Sequence, residues 1–206
     1  MIKTLFASNL YVSNLESKQN KNLNSDLLDE AYKFAELDER GQDWSSKNYP
    51  GGYTSYGSLT NMWELSSTFE ILKNELDKHV RKFAKSLEYD INPRDLQIVS
   101  LWINIMPPQV THSWHIHPHS VISGTYYVRT PKNCSAIKFE DPRISRFMNT
   151  PVRKKTAAPE RQWHYHHSPK AGEVVLFESW MNHEVPPNPA RSERVSISFN
   201  YDWIRR

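Results

Sequence analysis

Histidines are concentrated in one short stretch of the sequence, residues 111–120, which reads THSWHIHPHS. His115 and His117 are separated by one residue, and Pro118 biases His117 towards an extended backbone. Side chains two positions apart on an extended segment project to the same side. Imidazole is the commonest metal-binding side chain of proteins. The stretch therefore predicts part of a metal site, which needs a further ligand from another element.

A third ligand is available in the segment GEVVLFESWMNHEVPP, where His183 follows a strongly β-prone run. In an antiparallel barrel, the strand that bears His183 can lie beside the strand that bears His115. Arg194 follows eleven residues later, and Ser196 lies two residues beyond it on the same face of the next strand. A guanidinium with a neighbouring hydroxyl is a natural receptor for a carboxylate.

A second histidine cluster, HYHH, competes with the first for the role of metal site. It comprises His164, His166 and His167, and a zinc site there is weakened by the absence of nearby cysteine and of the usual ligand spacing. Within the first cluster, His119 follows Pro118 into a turn and is expected either beside a metal ligand, without binding the metal itself, or at the surface. His112 precedes the strand and is expected to line the entrance on the substrate side.

The elements that must position these residues are two helices followed by a series of strands. An initial strand (residues 2–12) precedes a helix over residues 23–39, with Asn24 or Ser25 as its cap. Ser67 and Glu70 predict a capping box for a second helix. That helix carries one apolar stripe, which predicts core packing: Phe69, Leu72, Leu76, Val80, Phe83 and Leu87.

Residues 40–61 have no period and predict a long loop. Its aromatic residues are candidates for contact with a substrate: Trp44, Tyr49, Tyr53 and Tyr56. Five later runs are strand-like: LQIVSLWINIMP, SVISGTYYVRTP, SAIKFED, GEVVLFES and RVSISFNYDW. The polar stretch 141–171 between the third and fourth predicts an irregular insertion.

The order His-x-His, a distal His, and Arg-x-Ser about ten residues later resembles the Fe(II)/2-oxoglutarate-dependent oxygenase superfamily. The sequence is most similar to a poorly characterised bacterial and phage family of this superfamily, through the segments LWINIMPP, HIHPHSVISGTYYV, FEDPR, AGEVVLFESWMNHEV and RVSISFN. The N-terminal LFASNLYV and the loop WSSKNYPGGYTSYGSL also resemble that family, so the likeness extends over nearly the whole chain.

The resemblance implies a mainly β fold, a double-stranded β-helix or jelly roll with flanking N-terminal helices. It implies a single domain over residues 1–206, with a helical support region and loop at 1–95 and the β-helix core at 96–206. By residue, it implies Fe(II) bound by His115, His117 and His183, and 2-oxoglutarate held by Arg194 and Ser196. Asn104, on the strand before the histidines, is assigned a hydrogen bond to the cosubstrate.

The implied activity is that of a dioxygenase that uses 2-oxoglutarate and O2, hydroxylates an unidentified primary substrate and releases succinate and CO2. Most superfamily members carry Asp or Glu where this chain has His117, although the closer family shares His-x-His. Two alternatives therefore stay open: a cupin-like protein with another metal, disfavoured because PHSVISG contains no Glu, and a non-catalytic module that binds metal or 2-oxoglutarate. Because metal-bound imidazoles are neutral and their reference pKa is near 6.5, iron affinity is expected to fall below that pH.

Composition excludes several other classes of protein. The 206 residues carry a net charge of +3 with scattered Lys and Arg, which does not indicate nucleic-acid binding. One cysteine, Cys134, and the lack of a long apolar run near the N-terminus predict a reduced, cytoplasmic protein without a membrane span. The sequence leaves the oligomeric state open, with a homodimer among the options.

Overall fold

The computed structural model describes residues 1–15 and 21–204. The predicted domain 1–206 and its region 1–95 thus include a few residues outside the described ranges. The strands are β1 (Leu10–Asn14), β2 (Tyr53–Thr54), β3 (Leu96–Met106), β4 (His112–His115), β5 (Ile122–Arg129), β6 (Ile137–Glu140), β7 (His164–His167), β8 (Glu173–Glu178), β9 (His183–Val185) and β10 (Arg194–Trp203). The α-helices are α1 (Leu23–Leu37), α2 (Glu39–Asn48), α3 (Met62–Leu65) and α4 (Ser67–Ser86).

The strands form two antiparallel sheets. The large sheet has the order β1-β8-β5-β10-β3-β2, and the small sheet has the order β4-β9-β6-β7. Strands far apart in sequence are neighbours in both sheets, as in the predicted double-stranded β-helix. The mainly β fold class is confirmed, and each of the five strand-like runs after residue 95 forms a strand.

The two long helices cover the outer face of the large sheet. The predicted apolar stripe of α4 is buried, with Phe69, Leu72 and Leu76 fully inaccessible. It packs with α1 against alternate residues of the sheet, including Ile197 and Phe199 of β10. At about 1.5–3 kcal/mol for each fully buried apolar side chain, this layer fixes the sheet against the helices.

The inner face of the large sheet looks towards the small sheet and has a different character. Along β10, the residues that alternate with the apolar ones are Arg194, Ser196, Ser198 and Asn200. A buried strand of period two thus separates an apolar layer on the helix side from a polar layer on the inner side. The candidate site lies on this polar layer.

Several local predictions are corrected by the structure, including the initial strand 2–12, of which only residues 10–12 belong to β1 (Leu10–Asn14). The first part of the predicted loop 40–61 is helix α2. The helix forms because the Asp38 side chain caps it by accepting from the Gly41 amide (2.9 Å), and because Ser45 exchanges hydrogen bonds with Thr54 of β2. The cap of α4 is Ser66, one residue before the predicted Ser67, and the cap residue of α1 is Asn22. The HYHH stretch is strand β7, paired with β6, where an irregular insertion was predicted.

Within the described ranges, none of the helices has the length and apolarity needed to cross a membrane.

Candidate metal centre

Two short strands of the small sheet bring the predicted histidines together. In the pairing of β4 with β9, His115 lies directly opposite His183. His117 follows the end of β4, where its backbone N–H donates to the carbonyl of Ser179 at 3.0 Å. One potential ligand atom from each of the three imidazoles lies within 4.8 Å of the others. The adjacency of the two strands is the one that the sequence predicted.

The hydrogen-bond partners of the three Nδ1 atoms show which nitrogen of each imidazole ring keeps a free lone pair. Each Nδ1 lies at hydrogen-bond distance from an oxygen of a carbonyl or amide, which accepts hydrogen bonds and cannot donate them. These oxygens are Ser113 O for His115 (2.6 Å), Asn200 Oδ1 for His117 (2.5 Å) and Met181 O for His183 (2.9 Å). Each Nδ1 therefore carries the proton, and each Nε2 keeps a free lone pair, which is the form that binds a metal ion.

Burial keeps these imidazoles neutral. It lowers the pKa of His183 to about 2 and that of His117 to about 4, and it also lowers the pKa of His115. The expectation that protonation competes with a metal ion from pH 6.5 downwards therefore changes. In the folded protein, protonation competes with a metal ion at a lower pH, near pH 4 at His117 and lower still at His183.

Arg194 lies at the start of β10 and is only 3% exposed. Its guanidinium stacks over the ring of Tyr127 at 4.9 Å, and Nη1 contacts the sulfur of Met106 at 3.6 Å. Among the described residues it forms no ion pair, and its Nε has no hydrogen-bond partner. A buried guanidinium in this state is costly without an anion, so this pocket is suited to a carboxylate.

Two other predicted cosubstrate residues lie on the same polar layer. Ser196 is 2% exposed and pairs in register with Asn104 of β3. The amide of Asn104 is already engaged: it accepts from Thr54 Oγ1 at 2.8 Å and donates to Ser198 Oγ at 3.0 Å. The roles of Asn104 and Ser196 towards 2-oxoglutarate stay predictions.

The substrate-side candidates His112, Trp44 and Tyr53 occupy different places. His112 adjoins the cluster, with its ring 6.3 Å from that of His115. Trp44 contacts Tyr56, at 6.0 Å between ring centroids. Tyr53 is buried in the helix-side core, and its hydroxyl donates to Asp38 at 2.8 Å. Because neighbours on a strand alternate, Thr54 takes the inner side of β2 and Tyr53 the outer side.

Tyr49, one of the loop aromatics predicted on the substrate side, lies at the site, as does Asn200, which the sequence did not single out. The Tyr49 ring stacks on His112 at 4.2 Å, and its buried hydroxyl lacks a hydrogen-bond partner among the described residues. Asn200 could have been found from the period of two that continues from Arg194 and Ser196. Tyr49 was predicted only as one of several loop aromatics, because its stacking on His112 depends on how α2 packs.

The rival HYHH cluster does not converge in the structure. His167 Nε2 lies 2.6 Å from Glu173, and His166 is exposed. Across the described part of the chain, only His115, His117 and His183 form a group that could hold a metal ion.

Comparison with known proteins agrees with this geometry. The family described as "Putative 2OG-Fe(II) oxygenase" matches residues 100–200, which include all three histidines, Arg194 and Ser196. Over these 101 of its 206 residues the chain is identified as a 2OG-Fe(II) oxygenase, an oxidoreductase of a family that uses Fe(II) and 2-oxoglutarate. No curated protein matches its sequence.

Solved 2OG-Fe(II) oxygenases share the fold at low sequence identity. A prolyl-4-hydroxylase from Pseudomonas putida is 14% identical, with 96% of this chain and 94% of that chain covered and a TM-score of 0.62. The epimerase SnoN of nogalamycin biosynthesis, solved with Fe3+, alpha ketoglutarate and nogalamycin RO, is 13% identical, with 95% and 79% covered and a TM-score of 0.64. The viral collagen prolyl hydroxylase of Paramecium Bursaria Chlorella virus-1 is 10% identical, with 95% and 97% covered and a TM-score of 0.56. These likenesses confirm the jelly-roll fold.

Proposed function

We propose that this oxygenase binds Fe(II) through His115, His117 and His183 and hydroxylates a primary substrate, with release of succinate and CO2. The observation that carries the proposal is the convergence of three neutral imidazoles, whose ligand atoms lie within 4.8 Å of one another. All three have their second nitrogen engaged by an acceptor, the arrangement that orients histidine ligands in metal sites. Bound Fe(II) supplies the redox chemistry by which O2 is activated and 2-oxoglutarate is oxidatively decarboxylated.

The chain's own residues bind and orient the cosubstrate. Arg194 is the receptor for the far carboxylate of 2-oxoglutarate, which would complete the hydrogen bonding of its buried guanidinium. The hydroxyl of Tyr49 has no hydrogen-bond partner among the described residues and is available as a further donor. It lies in the same region as Arg194, because the charge of that guanidinium acts on the phenol. Neutral His117 leaves the centre one unit more positive than a carboxylate ligand would, which favours an anionic cosubstrate.

The decisive experiment separates binding from turnover. Purified protein is loaded anaerobically with Fe(II), and 2-oxoglutarate is added while the metal-to-ligand absorption band is recorded. Oxygen is then admitted and succinate is measured, with metal-chelated protein as the control. The proposal expects both the band and succinate. A band without succinate identifies a non-catalytic binding module, and no band at all rejects the proposed cosubstrate site.

We place the primary substrate in a cavity of about 620 Å³ between the N-terminal residues 2–8 and the small sheet. Tyr165, Phe139, His183 and His115 lie opposite one another on successive strands, so one row of side chains runs from the cavity to the histidine cluster. The Phe139 ring is 5.8 Å from that of His183.

This placement is tested with compounds that stimulate succinate formation. Tyr165→Arg puts a large charged group at the exposed edge of the cavity and is expected to weaken stimulation while leaving the absorption band of bound 2-oxoglutarate unchanged. Equal stimulation of the wild type and the variant by the same compound places its binding elsewhere.

A further inference from the structure

We propose that Asn200 is the positioning residue for His117, which it holds in the Nδ1-protonated form so that Nε2 can bind a metal ion. The proposal rests on the proposed function, in which His117 is a ligand. It goes beyond it by assigning a role to a residue outside the ligand set.

The three histidines differ in how their rings are held. His115 and His183 each bond to the backbone carbonyl two residues earlier, on Ser113 and Met181. A substitution at Ser113 or Met181 would leave the backbone carbonyl of that residue in place. His117 instead bonds to a side chain 83 residues away, Asn200 Oδ1 on β10, at 2.5 Å. Its tautomer therefore depends on one replaceable residue.

Asn200 is itself held by hydroxyl groups on both sides. Its Oδ1 also accepts from Ser123 Oγ at 2.8 Å, and its Nδ2 donates to Ser100 Oγ at 3.1 Å. Ser123 is fully buried on β5 and lies 2.7 Å from the hydroxyl of Ser179. The amide is thus oriented from β3 and β5, with its oxygen towards the imidazole.

The same network reaches the backbone of His117. Ser179, just after β8, supplies the carbonyl that accepts the His117 N–H at 3.0 Å. His117 lies beyond the end of β4, so the ladder with β9 does not hold it. Side-chain and backbone contacts to the large sheet replace that ladder, and Asn200 makes the one that acts on the ring nitrogen.

The chemistry of an amide explains what this arrangement achieves. Free neutral imidazole can carry its proton on either nitrogen, and a proton on Nε2 would remove the lone pair that faces His115 and His183. An amide oxygen selects the useful tautomer without adding negative charge beside the ligand. With leucine, which is similar in size to asparagine, that selection would be lost.

The test reads the tautomer directly in the apoprotein. Two-bond ¹H–¹⁵N NMR spectra of ¹⁵N-histidine-labelled protein distinguish the two tautomers, and Co(II) titration measures metal affinity. Wild type is expected to show His117 protonated on Nδ1. Asn200→Leu should shift His117 towards the Nε2-protonated form and weaken Co(II) binding 10-fold to 100-fold, the usual effect of removing such a partner.

Two further variants separate positioning from general damage to the fold. Asn200→Asp keeps an acceptor oxygen and is expected to restore both the tautomer and Co(II) binding. Ser100→Ala removes the acceptor of the Asn200 Nδ2 hydrogen bond but leaves Ser123 donating to Oδ1, so it should change Co(II) affinity less than threefold.

The wild-type spectrum alone can overturn the proposal, because His117 protonated on Nε2 contradicts it whatever the variants do. Unchanged Co(II) affinity in folded Asn200→Leu also overturns it and leaves the proposed function intact. Wild-type protein that shows the expected tautomer but binds no Co(II) rejects the proposed function instead.

Discussion

At the scale of single residues, the site combines neutral nitrogen ligands with one buried cation. Burial and hydrogen bonds at Nδ1 hold His115, His117 and His183 neutral with free lone pairs. Arg194 remains charged and unpaired within the described structure. The buried imidazoles and the buried guanidinium both destabilise the apoprotein, and ligand binding relieves that cost. Substitutions at these residues are therefore the most direct tests of the site.

Replacement of His183 by alanine is expected to abolish metal binding. His183 is 4% exposed and is opposite His115, so its loss leaves two imidazoles on one side of the site. The loss of Co(II) affinity, measured by calorimetric titration, should exceed the 10-fold to 100-fold effect typical of outer hydrogen-bond partners. His166→Ala, in the rival cluster, is the control and should bind normally. If His166→Ala lost Co(II) binding and His183→Ala kept it, the metal site would be assigned to the HYHH cluster.

Replacement of Arg194 by methionine should separate cosubstrate binding from stability. Each charge-assisted hydrogen bond lost to 2-oxoglutarate costs about 1.5–3 kcal/mol, roughly 10-fold to 150-fold in affinity. The apoprotein should be as stable as wild type or more so, because an apolar chain of similar volume replaces a buried, unpaired charge. Kd for 2-oxoglutarate and the thermal unfolding midpoint check the two parts. Equal Kd values would remove Arg194 from the pocket.

At the scale of elements, α2 carries a site residue into place. Its sequence, ERGQDWSSKN, is poor in helix formers, yet the helix forms because Asp38 caps it and Ser45 docks it on β2. The chain leaving the helix then places Tyr49 on His112. Helix α2 and strand β2 each have a weak tendency to form alone, and the contact between them brings Tyr49 to the site.

Asp38→Ala is expected to loosen α2 and weaken 2-oxoglutarate binding without affecting the metal ligands. The Asp38 carboxylate accepts from the Gly41 amide, the Tyr53 hydroxyl and the Ser58 hydroxyl, at 2.9, 2.8 and 2.5 Å. Losing these should cost about 2–4 kcal/mol.

Hydrogen exchange of residues 39–57 should rise, while Co(II) affinity stays constant. Asp43→Ala, on the exposed side of the same helix, serves as the control. Slow exchange retained in Asp38→Ala would contradict the proposed cap.

At the scale of the whole molecule, two sheets enclose an interior in which an apolar cluster adjoins titratable groups. The helices bury the outer face of the large sheet, and the inner face and the small sheet enclose the histidine cluster. Stability of the apoprotein therefore depends on pH through groups that the fold keeps neutral.

The free energy of unfolding of metal-free protein should fall as pH decreases below about 6.5. In the unfolded chain His183 has an ordinary pKa near 6.5, whereas burial lowers its pKa to about 2 in the fold. Between these values the unfolded chain binds a proton that the fold does not, which costs about 1.4 kcal/mol per pH unit for this group.

Urea unfolding between pH 7.5 and 4.5 in the presence of chelator measures this dependence. His183→Leu should show a slope shallower by that amount, whereas His166→Ala should keep the wild-type slope. Parallel curves for wild type and His183→Leu would contradict the lowered pKa.

The five strand-like runs after residue 95, the apolar stripe of α4 and the order of the candidate site residues were readable from the sequence. Those site residues are His115, His117, His183, Arg194 and Ser196. These features depend on periods of two and 3.6 and on spacing along one chain, which are local properties. Helix α2 and strand β7 were not readable, because packing and strand pairing override weak propensity there.

Only the tertiary structure decided which groups complete the site. Residue types alone determined that the chain holds imidazoles and a guanidinium suited to a metal ion and a carboxylate. Their protonation, their tautomers and their partners Asn200 and Tyr49 depend on burial and on contacts between segments far apart in sequence. These are properties of distance in space, which spacing along the chain does not encode.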